Sequence, residues 1–438
     1  MRKIIQYMMM ALIAVVLASC ANDISEESTP TVKSNIRFVV DDFPMFEKPS
    51  TRTIGEEDKG KTAWAVGDEI CVKLESKELG TQTATLKYNG VKFELQDGNS
   101  LGYLEDEPVT AYAYYAPNRK WLNDGNLGYK DGEHDGTAEL LEATCTVHYG
   151  DDNYIDISFA TATRNYSRLR IATMPNKPIT VDINYFTPAG SSDMKWDQNY
   201  ALTSDEKGNA YLYGTFENNS EVTVKYREAP LKTYTFSQAT ESAKSYALDA
   251  TVVSLTDEGI TRDQIVENVK KELDAGKTYI NLMLAPDVDE ETLDAIHIGL
   301  REGGASQWSI NLTLIGCKKI PSGGFMYWKM LKSIALPDVT EIAEKAFLDC
   351  TRLQKVVLGN LTKVYGKAGE KGIFEGCRTK DIDLILSKDQ KVMNGGKTEG
   401  GYCWTADITK DYSGSDEHNG RVFLNYDFQS ITCDYQVP

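Results

Sequence analysis

The chain has 438 residues, of which 41% are hydrophobic and 26% are charged, a composition typical of a soluble globular protein. This length leaves room for about two to four domains. The formal net charge is −18 at pH 7. Such an acidic chain would repel the phosphates of nucleic acid, which excludes nucleic acid as a partner.

The first residues predict a lipoprotein signal. Residues 1–19 begin with two cationic residues and continue through an apolar run that is too short to cross a bilayer comfortably. The segment ends in L-A-S-C at 17–20, which resembles a bacterial lipobox, and this resemblance implies a lipid on Cys20. A plain signal peptide with an incidental cysteine is the alternative.

The next residues, 20–34, are polar and acidic and predict a tether between the lipid and the fold. The acids that follow Cys20 also resemble the surface-export signal of Bacteroidota lipoproteins. We therefore expect the protein to be lipid-anchored in the outer membrane and exposed on the cell surface.

Residues 35–255 predict a β-rich middle. Short runs of alternating apolar and polar residues, separated by Gly, Asn and Asp, recur throughout it and favour β-sandwiches. We place one sandwich at 35–148 and a second at 149–255.

Four motifs in the first sandwich carry a family resemblance. They are T-R-T at 51–53, W-A-V-G-D-E-I at 64–70, Y-N-G-V-K-F at 88–93 and A-Y-A-Y-Y-A-P at 111–117. This series resembles the fimbrillin (Mfa-like) family of Bacteroidota lipoproteins. The resemblance implies two transthyretin-like β-sandwiches that either build pili or stand alone on the cell surface.

The same resemblance implies a mode of assembly. In polymerising fimbrillins a protease removes the first strand at an arginine, and the tail of another subunit fills the groove by strand addition. Arg37 and Arg52 could be such cleavage points, although any exposed arginine would look the same. Because the chain continues beyond the second sandwich, we infer a tip, anchor or non-polymerising relative.

Residues 256–305 change to an α/β pattern. Thr261 caps a helix that carries apolar residues on one face and stops at Gly276. A strand at 280–284 and a second helix at 289–301 follow. This order predicts a small α/β cap for the open end of a solenoid.

Residues 306–390 repeat themselves. Apolar lines at 310–314, 331–336, 353–358 and 382–386 end in leucines spaced by 22, 22 and 28 residues. Such a period predicts a leucine-rich solenoid. The unit I-A-E-K-A-F-L-D-C-T-R-L-Q-K-V-V-L at 342–358 resembles surface-antigen (BspA-like) leucine-rich repeats, whose members mostly bind other proteins or cells.

The pattern fades at 391–438, which predicts a C-terminal cap with a closing strand at 421–426. The fold class expected for the whole chain is mainly β. It consists of two transthyretin-like β-sandwiches followed by a short leucine-rich-repeat solenoid with a small α/β cap.

The sequence contains little reactive chemistry. G-E-E-D-K-G-K-T at 55–62 fits the Walker A spacing, but three acids lie in it and no strand-to-helix turn surrounds it, so we reject a nucleotide site. The four histidines have no metal-ligand spacing. Cys350 and Cys377 hold equivalent repeat positions, where core packing is favoured over a disulfide or a reactive thiol. We expect no catalytic residue, no metal, no cofactor and no enzymatic activity.

The repeat strands contain the candidate binding site. Alternation along them predicts two outward columns on an open sheet, one polar and one apolar. Exposed apolar stripes often mark a partner, and the alternative is that a flanking domain or a cap covers this one. The polar column is Asn281, Asn311, Ser333, Lys355 and Asp383, and the apolar column is Met283, Thr313, Ala335, Val357 and Ile385. The candidate ligand-binding residues are Asn311, Thr313, Ala335, Lys355, Val357 and Ile385.

These features favour a cell-surface lipoprotein that presents the repeat surface on a β-sandwich stalk and adheres to a host or microbial protein or glycan. The membrane is a partner through the N-terminal lipid. The alternative is a fimbrial accessory, anchor or tip subunit that works by strand complementation with other fimbrial subunits. A glycan hydrolase is a third hypothesis, for which no catalytic pair can be argued from the sequence.

Overall fold

In the computed structural model the described residues are 32–49, 59–104, 107–150, 153–160, 164–305, 309–364, 372–387, 390, 396–398, 401–403, 422–424 and 426–435. The predicted signal peptide, Cys20, most of the tether and Arg52 lie outside them. Within the described residues the fold is mainly β, with two α-helices. Neither helix is long and apolar enough to cross a membrane.

The first sheet has seven strands and forms between residues 37 and 157. The strands of this region are β1 (Val32–Lys33), β2 (Arg37–Val40), β3 (Glu69–Ser76), β4 (Gly80–Tyr88), β5 (Phe93–Leu95), β6 (Tyr103–Leu104), β7 (Thr110–Tyr115), β8 (Arg119–Trp121), β9 (Leu127–Tyr129), β10 (Leu141–His148) and β11 (Tyr154–Ile157). The order is β2-β11-β10-β7-β3-β4-β5, and every pairing is antiparallel except that of β2 with β11. Outside the sheet, β1 pairs with β6 and β8 with β9.

The second sheet also has seven strands. They are β12 (Ser167–Ala172), β13 (Pro178–Pro188), β14 (Lys195–Thr203), β15 (Asn209–Phe216), β16 (Glu221–Tyr226), β17 (Ala229–Thr235) and β18 (Ser245–Asp249). The order is β17-β16-β13-β15-β12-β18, with β14 paired to β13, and only the β12–β18 pairing is parallel.

The two sheets share a pairing pattern, since each is an antiparallel sheet with one parallel strand at an edge. Each sheet also wraps around a single core. Phe38 of β2 and Phe93 of β5, at opposite edges of the first sheet, belong to the same apolar cluster. Leu231 of β17 and Leu248 of β18 do so in the second. The architecture is therefore two sandwich-like or barrel-like β-sheets in succession along the chain.

A buried ion pair joins the residues just before β10 of the first sheet to those just before β12 of the second. The Arg164 side chain is fully buried and donates from Nε to Glu139 Oε1 over 2.7 Å. Its guanidinium also lies 4.1 Å from the Phe46 ring centroid and donates to the Met45 carbonyl. Buried charges persist in proteins when they are paired and hydrogen-bonded, as here.

Two helices and two strands follow the second sheet: α1 (Arg262–Asp274), α2 (Glu290–Glu302), β19 (Val253–Ser254) and β20 (Tyr279–Met283). The predicted helices are confirmed, together with their start signals. Thr261 and Gln264 form a reciprocal capping box on α1. Asp289 Oδ1 accepts from the Thr292 amide over 2.8 Å at the start of α2.

Most of the described strands after the second sheet form a parallel stack, which continues from β19 and β20 through β21 (Ile310–Ile315), β22 (Lys319–Ile320), β23 (Leu331–Leu336), β24 (Glu341–Ile342), β25 (Lys355–Leu358), β26 (Lys363–Val364), β27 (Asp383–Ser387) and β32 (Ser430–Tyr435). The stack is defined as the sheet β19-β20-β21-β23-β25-β27-β32 together with the three-stranded sheet β22-β24-β26. Phenylalanines at the repeat positions stack behind it, with Phe325 and Phe347 centroids 5.3 Å apart and Phe347 and Phe374 centroids 4.9 Å apart. Outside the stack, β28 (Gly396–Thr398) pairs with β29 (Gly401–Cys403), and β30 (Val422–Phe423) pairs with β31 (Tyr426–Asp427).

The last strand of the stack differs from the prediction. The predicted closing strand at 421–426 is instead two short strands, β30 and β31, that pair with each other. The strand that closes the sheet beyond β27 is β32, at Ser430–Tyr435. The aromatic and aliphatic residues at 422–426 led to the prediction of a closing strand there. In the structure β32 takes that place, with Ile431 beside Leu384 of β27.

Candidate binding surfaces

The repeat strands form the predicted columns, with one shift. Asn311, Ser333, Lys355 and Asp383 are partners in register, and so are Thr313, Ala335, Val357 and Ile385. The placement of β20 was wrong by one column, because Asn281 pairs with Thr313 and Met283 pairs with Ile315. β20 precedes the repeat, so the 22-residue spacing does not set its register.

The expectation that the apolar column lies open to solvent is wrong. Thr313 is 2% exposed, Ala335 is 3% exposed and Val357 is 1% exposed. Ala229 of β17 packs against Ala335 and Val357, and Ile385 lies partly buried at the edge of this patch. The alternative interpretation, in which a flanking domain covers the stripe, is the observed one. Periodicity identifies an apolar face but not the element that covers it.

A hairpin of the second sheet provides the cover. Strands β16 and β17 are joined by Arg227 and Glu228, whose φ angles of 49° and 61° are those of a two-residue type I′ turn. Ala229 follows directly and reaches the stack. We call residues 221–235 the covering hairpin.

Polar contacts flank the apolar patch. Thr313 Oγ1 donates to the Pro230 carbonyl over 3.2 Å. Asn281 Nδ2 donates to the Leu231 carbonyl over 3.0 Å and to the Thr251 carbonyl over 3.2 Å. These hydrogen bonds satisfy backbone carbonyls that the interface removes from water.

An ion pair closes one end of the same interface. Arg227 at the tip of the covering hairpin pairs with Asp338 of the stack, and both side chains are largely buried. The other carboxylate oxygen of Asp338 accepts from the Gly316 amide over 2.9 Å. The second sheet and the parallel stack are therefore held together by apolar, hydrogen-bonded and charged contacts at once.

The polar column lies at the edge of this interface. Ser333 Oγ donates to Asn311 Oδ1 over 2.8 Å. Lys355 faces a polar cleft of about 490 Å³ that β13, β14 and β16 also line. Burial lowers the pKa of Lys355, and the neighbouring Lys225 ammonium lowers that pKa further. Lys355 is thus a predicted ligand-binding residue that lines a cleft.

Two further cavities lie where the edge strands of each curled sheet approach one another. The first seam, between β2 and β5, holds a gap of about 750 Å³ lined by residues 35–42, Trp64 and residues 91–95. Val91 at this gap is 86% exposed. The second seam, between β17 and β18, holds a pocket of about 390 Å³. Neither cavity is predictable from the sequence, because a seam forms only when a sheet curls and its two edges approach each other.

The predicted cleavage residue Arg37 lies in β2, where its guanidinium is 5.0 Å from the Tyr154 ring centroid. Arg37 therefore stacks on its neighbour across the β2–β11 pair. The other candidate, Arg52, falls outside the described residues.

The thiols of Cys350 and Cys377 pack against the backbone of the neighbouring repeat units. Cys350 Sγ donates to the Phe325 carbonyl and Cys377 Sγ donates to the Phe347 carbonyl, each over 3.0 Å, in agreement with core packing. Burial raises the pKa of Cys317 to about 12. No group of three or more His, Cys, Asp or Glu side chains in the described part of the chain could hold a metal ion.

No family model matches the chain, and no curated protein matches it. Three solved structures are similar to about half of it. A putative cell adhesion protein from Bacteroides fragilis is 12% identical, and the match covers 51% of this chain and 95% of that one with a TM-score of 0.22. The fimbrial anchor protein Mfa2 from Porphyromonas gingivalis is 12% identical over 46% of this chain and 80% of that one, with a TM-score of 0.21. The minor pilin GBS52 from Streptococcus agalactiae is 10% identical over 49% of this chain and 92% of that one, with a TM-score of 0.18.

Proposed function

We propose that the chain is a lipid-anchored cell-surface protein of the adhesion or fimbrial type. In this proposal Cys20 carries the lipid, the two curled sheets are transthyretin-like sandwiches that act as a stalk, and the parallel stack is a leucine-rich-repeat head. The observation that carries the proposal is the interface in which the covering hairpin seals Ala335 and Val357. It makes the last stalk domain and the head one unit, which suits a protein that presents a surface.

The interface also changes where a ligand would bind. Thr313, Ala335 and Val357 belong to the interior, so the binding surface comprises the regions that remain open. These are the cleft at Lys355, the two seams and the outer turns of the stack. The proposal includes no enzymatic step, and screening the purified chain for turnover of host and dietary glycans tests that part.

Surface anchoring is tested by labelling cells with a fatty-acid analogue and treating intact cells with protease. We expect the chain to carry the label and to be digested from outside. A Cys20→Ser variant should lose the label, whereas a Cys433→Ser variant should keep it. A chain that is unlabelled and protected from protease would contradict the proposal.

Adhesion is tested by coating beads with the purified chain without residues 1–20 and counting beads bound to host cells and to matrix proteins. Beads coated with an unrelated acidic protein of similar charge are the control, because net charge alone changes non-specific binding. Binding no greater than that of the control beads would remove the adhesive role.

The gap of the first seam favours a second candidate, a fimbrial accessory role by strand complementation. Edge strands β2 and β5 flank it, and unpaired strand edges are templates for an added strand. We expect protease-trimmed chains to form higher-order species on size-exclusion chromatography. Val91→Arg at the gap should block them, and Leu122→Arg, also exposed but outside the lining, should not. A chain that stays monomeric after trimming counts against this role.

A further inference from the structure

The pocket of the second seam is a closed site rather than a through groove. At one end, residues 236–244 connect β17 directly to β18 and so cross the seam. At the other end, Asn281 donates to the carbonyls of both Leu231 and Thr251, which lie on the two sides of the seam. An extended strand could not run through such a site. Its volume of about 390 Å³ lies within the usual range for small-ligand pockets, about 300–1,000 Å³.

The pocket combines an apolar floor with a polar rim. The floor is formed by Leu169, Phe236 and Leu248, all buried members of the core of the second sheet. A ligand that enters must therefore present an apolar surface to the floor and polar groups to the rim. The rim consists of Lys232, Tyr234, Ser237, Gln238, Tyr246 and Asp249.

Lys232 provides a partly buried cation at the rim of the pocket. Its ammonium lies 5.4 Å from the Tyr279 ring centroid and has no hydrogen bond or ion pair with another residue of the described chain. Burial lowers the pKa of Lys232, because the pocket withholds water from the ammonium. A partly desolvated cation without a hydrogen-bonded partner is stabilised when an anion arrives.

The nearest rim acid, Asp249, is already engaged. Its carboxylate accepts from Thr251 Oγ1 over 2.6 Å and pairs with the Lys277 ammonium at 2.9 Å. Asp249 therefore forms its ion pair with Lys277, and it acts on the Lys232 ammonium only through space, without a hydrogen bond. Exposed acids that lie farther from the pocket than a Debye length, about 8 Å at physiological salt, are largely screened.

The aromatic side chains form a surface across the seam. The Tyr234 ring is 45% exposed and meets the Phe236 ring edge to face at a centroid distance of 5.0 Å. Phe236 in turn lies 6.2 Å from Tyr246 on the opposite strand. Tyrosine rings offer an apolar face together with a polar tip, which suits a ring that is itself apolar on one face and hydroxylated at its edge.

From this arrangement we propose that the second-seam pocket binds a carboxylate-bearing sugar, a sialic or a uronic acid. The sugar carboxylate pairs with the Lys232 ammonium, the C–H face of its ring lies on Tyr234, and its hydroxyl groups meet Ser237 and Gln238. This inference rests on the proposed adhesive role, for which it supplies a ligand class.

Isothermal titration calorimetry with N-acetylneuraminic acid and, separately, with glucuronic acid tests the site and distinguishes the two sources of the carboxylate. Galactose and glucose are the neutral controls. We expect saturable binding of at least one acid sugar, with neutral sugars at least about tenfold weaker, since a charge-assisted hydrogen bond is lost.

Three variants locate the binding. Lys232→Met keeps the apolar stem of the side chain and should weaken acid-sugar binding about tenfold or more, and Tyr234→Ala should weaken it as well. The matched control is Lys77→Met, because the Lys77 side chain is 89% exposed and lies outside the pocket lining. Circular dichroism and thermal melting check that each variant is folded.

Several results would overturn the inference: no saturable binding of either acid sugar, equal binding of neutral sugars, or unchanged affinity in folded Lys232→Met. Bead adhesion measured in parallel separates this failure from that of the proposed function. Beads that adhere equally well with Lys232→Met would leave adhesion standing and remove this site from it. Acid-sugar binding without bead adhesion would leave the pocket as a sugar site and contradict the adhesive role.

Discussion

Replacing Val357 with aspartate distinguishes a covered stack from an open one. Val357 is 1% exposed and packs against Ala229 and Ala335, so a carboxylate there would be buried without a partner. An uncompensated buried charge costs about 3–5 kcal/mol of unfolding free energy. Val357→Ala removes two methyl groups, which at about 0.8 kcal/mol each predicts a loss of about 1.6 kcal/mol.

Urea denaturation followed by circular dichroism measures both losses. Val91→Asp is the matched control, because Val91 is 86% exposed and a surface substitution changes stability by at most about 0.5 kcal/mol. If Val357→Asp is as stable as Val91→Asp, the apolar column is open to solvent and the covering interface is wrong. In that case the column would again be a candidate for ligand binding.

Three further predictions concern a helix cap, the thiols and the proposed sugar site. Asp289→Ala removes the cap of α2 and should lower the free energy of unfolding by about 1 kcal/mol near neutral pH, as measured by urea denaturation. The hydrogen bonds from Thr292 hold the pKa of Asp289 below its ordinary value. The difference in stability between the variant and the wild type should therefore shrink as the pH falls through that lowered pKa. Burial raises the pKa of Cys71 to about 11 and of Cys145 to about 12. Iodoacetamide should therefore label neither thiol near pH 8 until the chain is unfolded, as measured by site-resolved mass spectrometry. Labelling of either thiol in the native state would contradict the observed packing. Sugar binding should weaken as the pH rises toward about 10, since Lys232 loses its proton below the ordinary lysine pKa; titration calorimetry at several pH values would refute this if the affinity were constant.

The parts of the fold that were predictable are those in which sequence spacing sets the geometry. A period of 22 residues places Ser333 beside Lys355 in adjacent parallel strands, and that register is observed. The helix boundaries followed from side chains that satisfy backbone amides locally, such as Thr261. In both cases the deciding interaction lies within one repeat or one helical turn.

The remainder depends on contacts between segments that are distant in sequence. Val357 and Ala229 are 128 residues apart, and alternation along β25 does not reveal that β17 will lie on its apolar face. The seam pocket has the same origin, because Lys232 and Asp249 come to line one pocket only when the two edges of the second sheet approach each other. β20 was placed in the wrong column because it lies outside the repeat and takes its register from β21.

The size of the contacting residues explains how the covering interface satisfies its polar groups. Alanine at 229 and at 335 lets the backbone of the covering hairpin approach the face of the stack closely. This approach brings the Pro230 carbonyl within 3.2 Å of the Thr313 hydroxyl. A larger residue at either alanine would hold the two surfaces apart and leave that buried carbonyl without a donor. The apolar column of the repeat is therefore complementary to its own chain, and the regions left open are the clefts and seams around it.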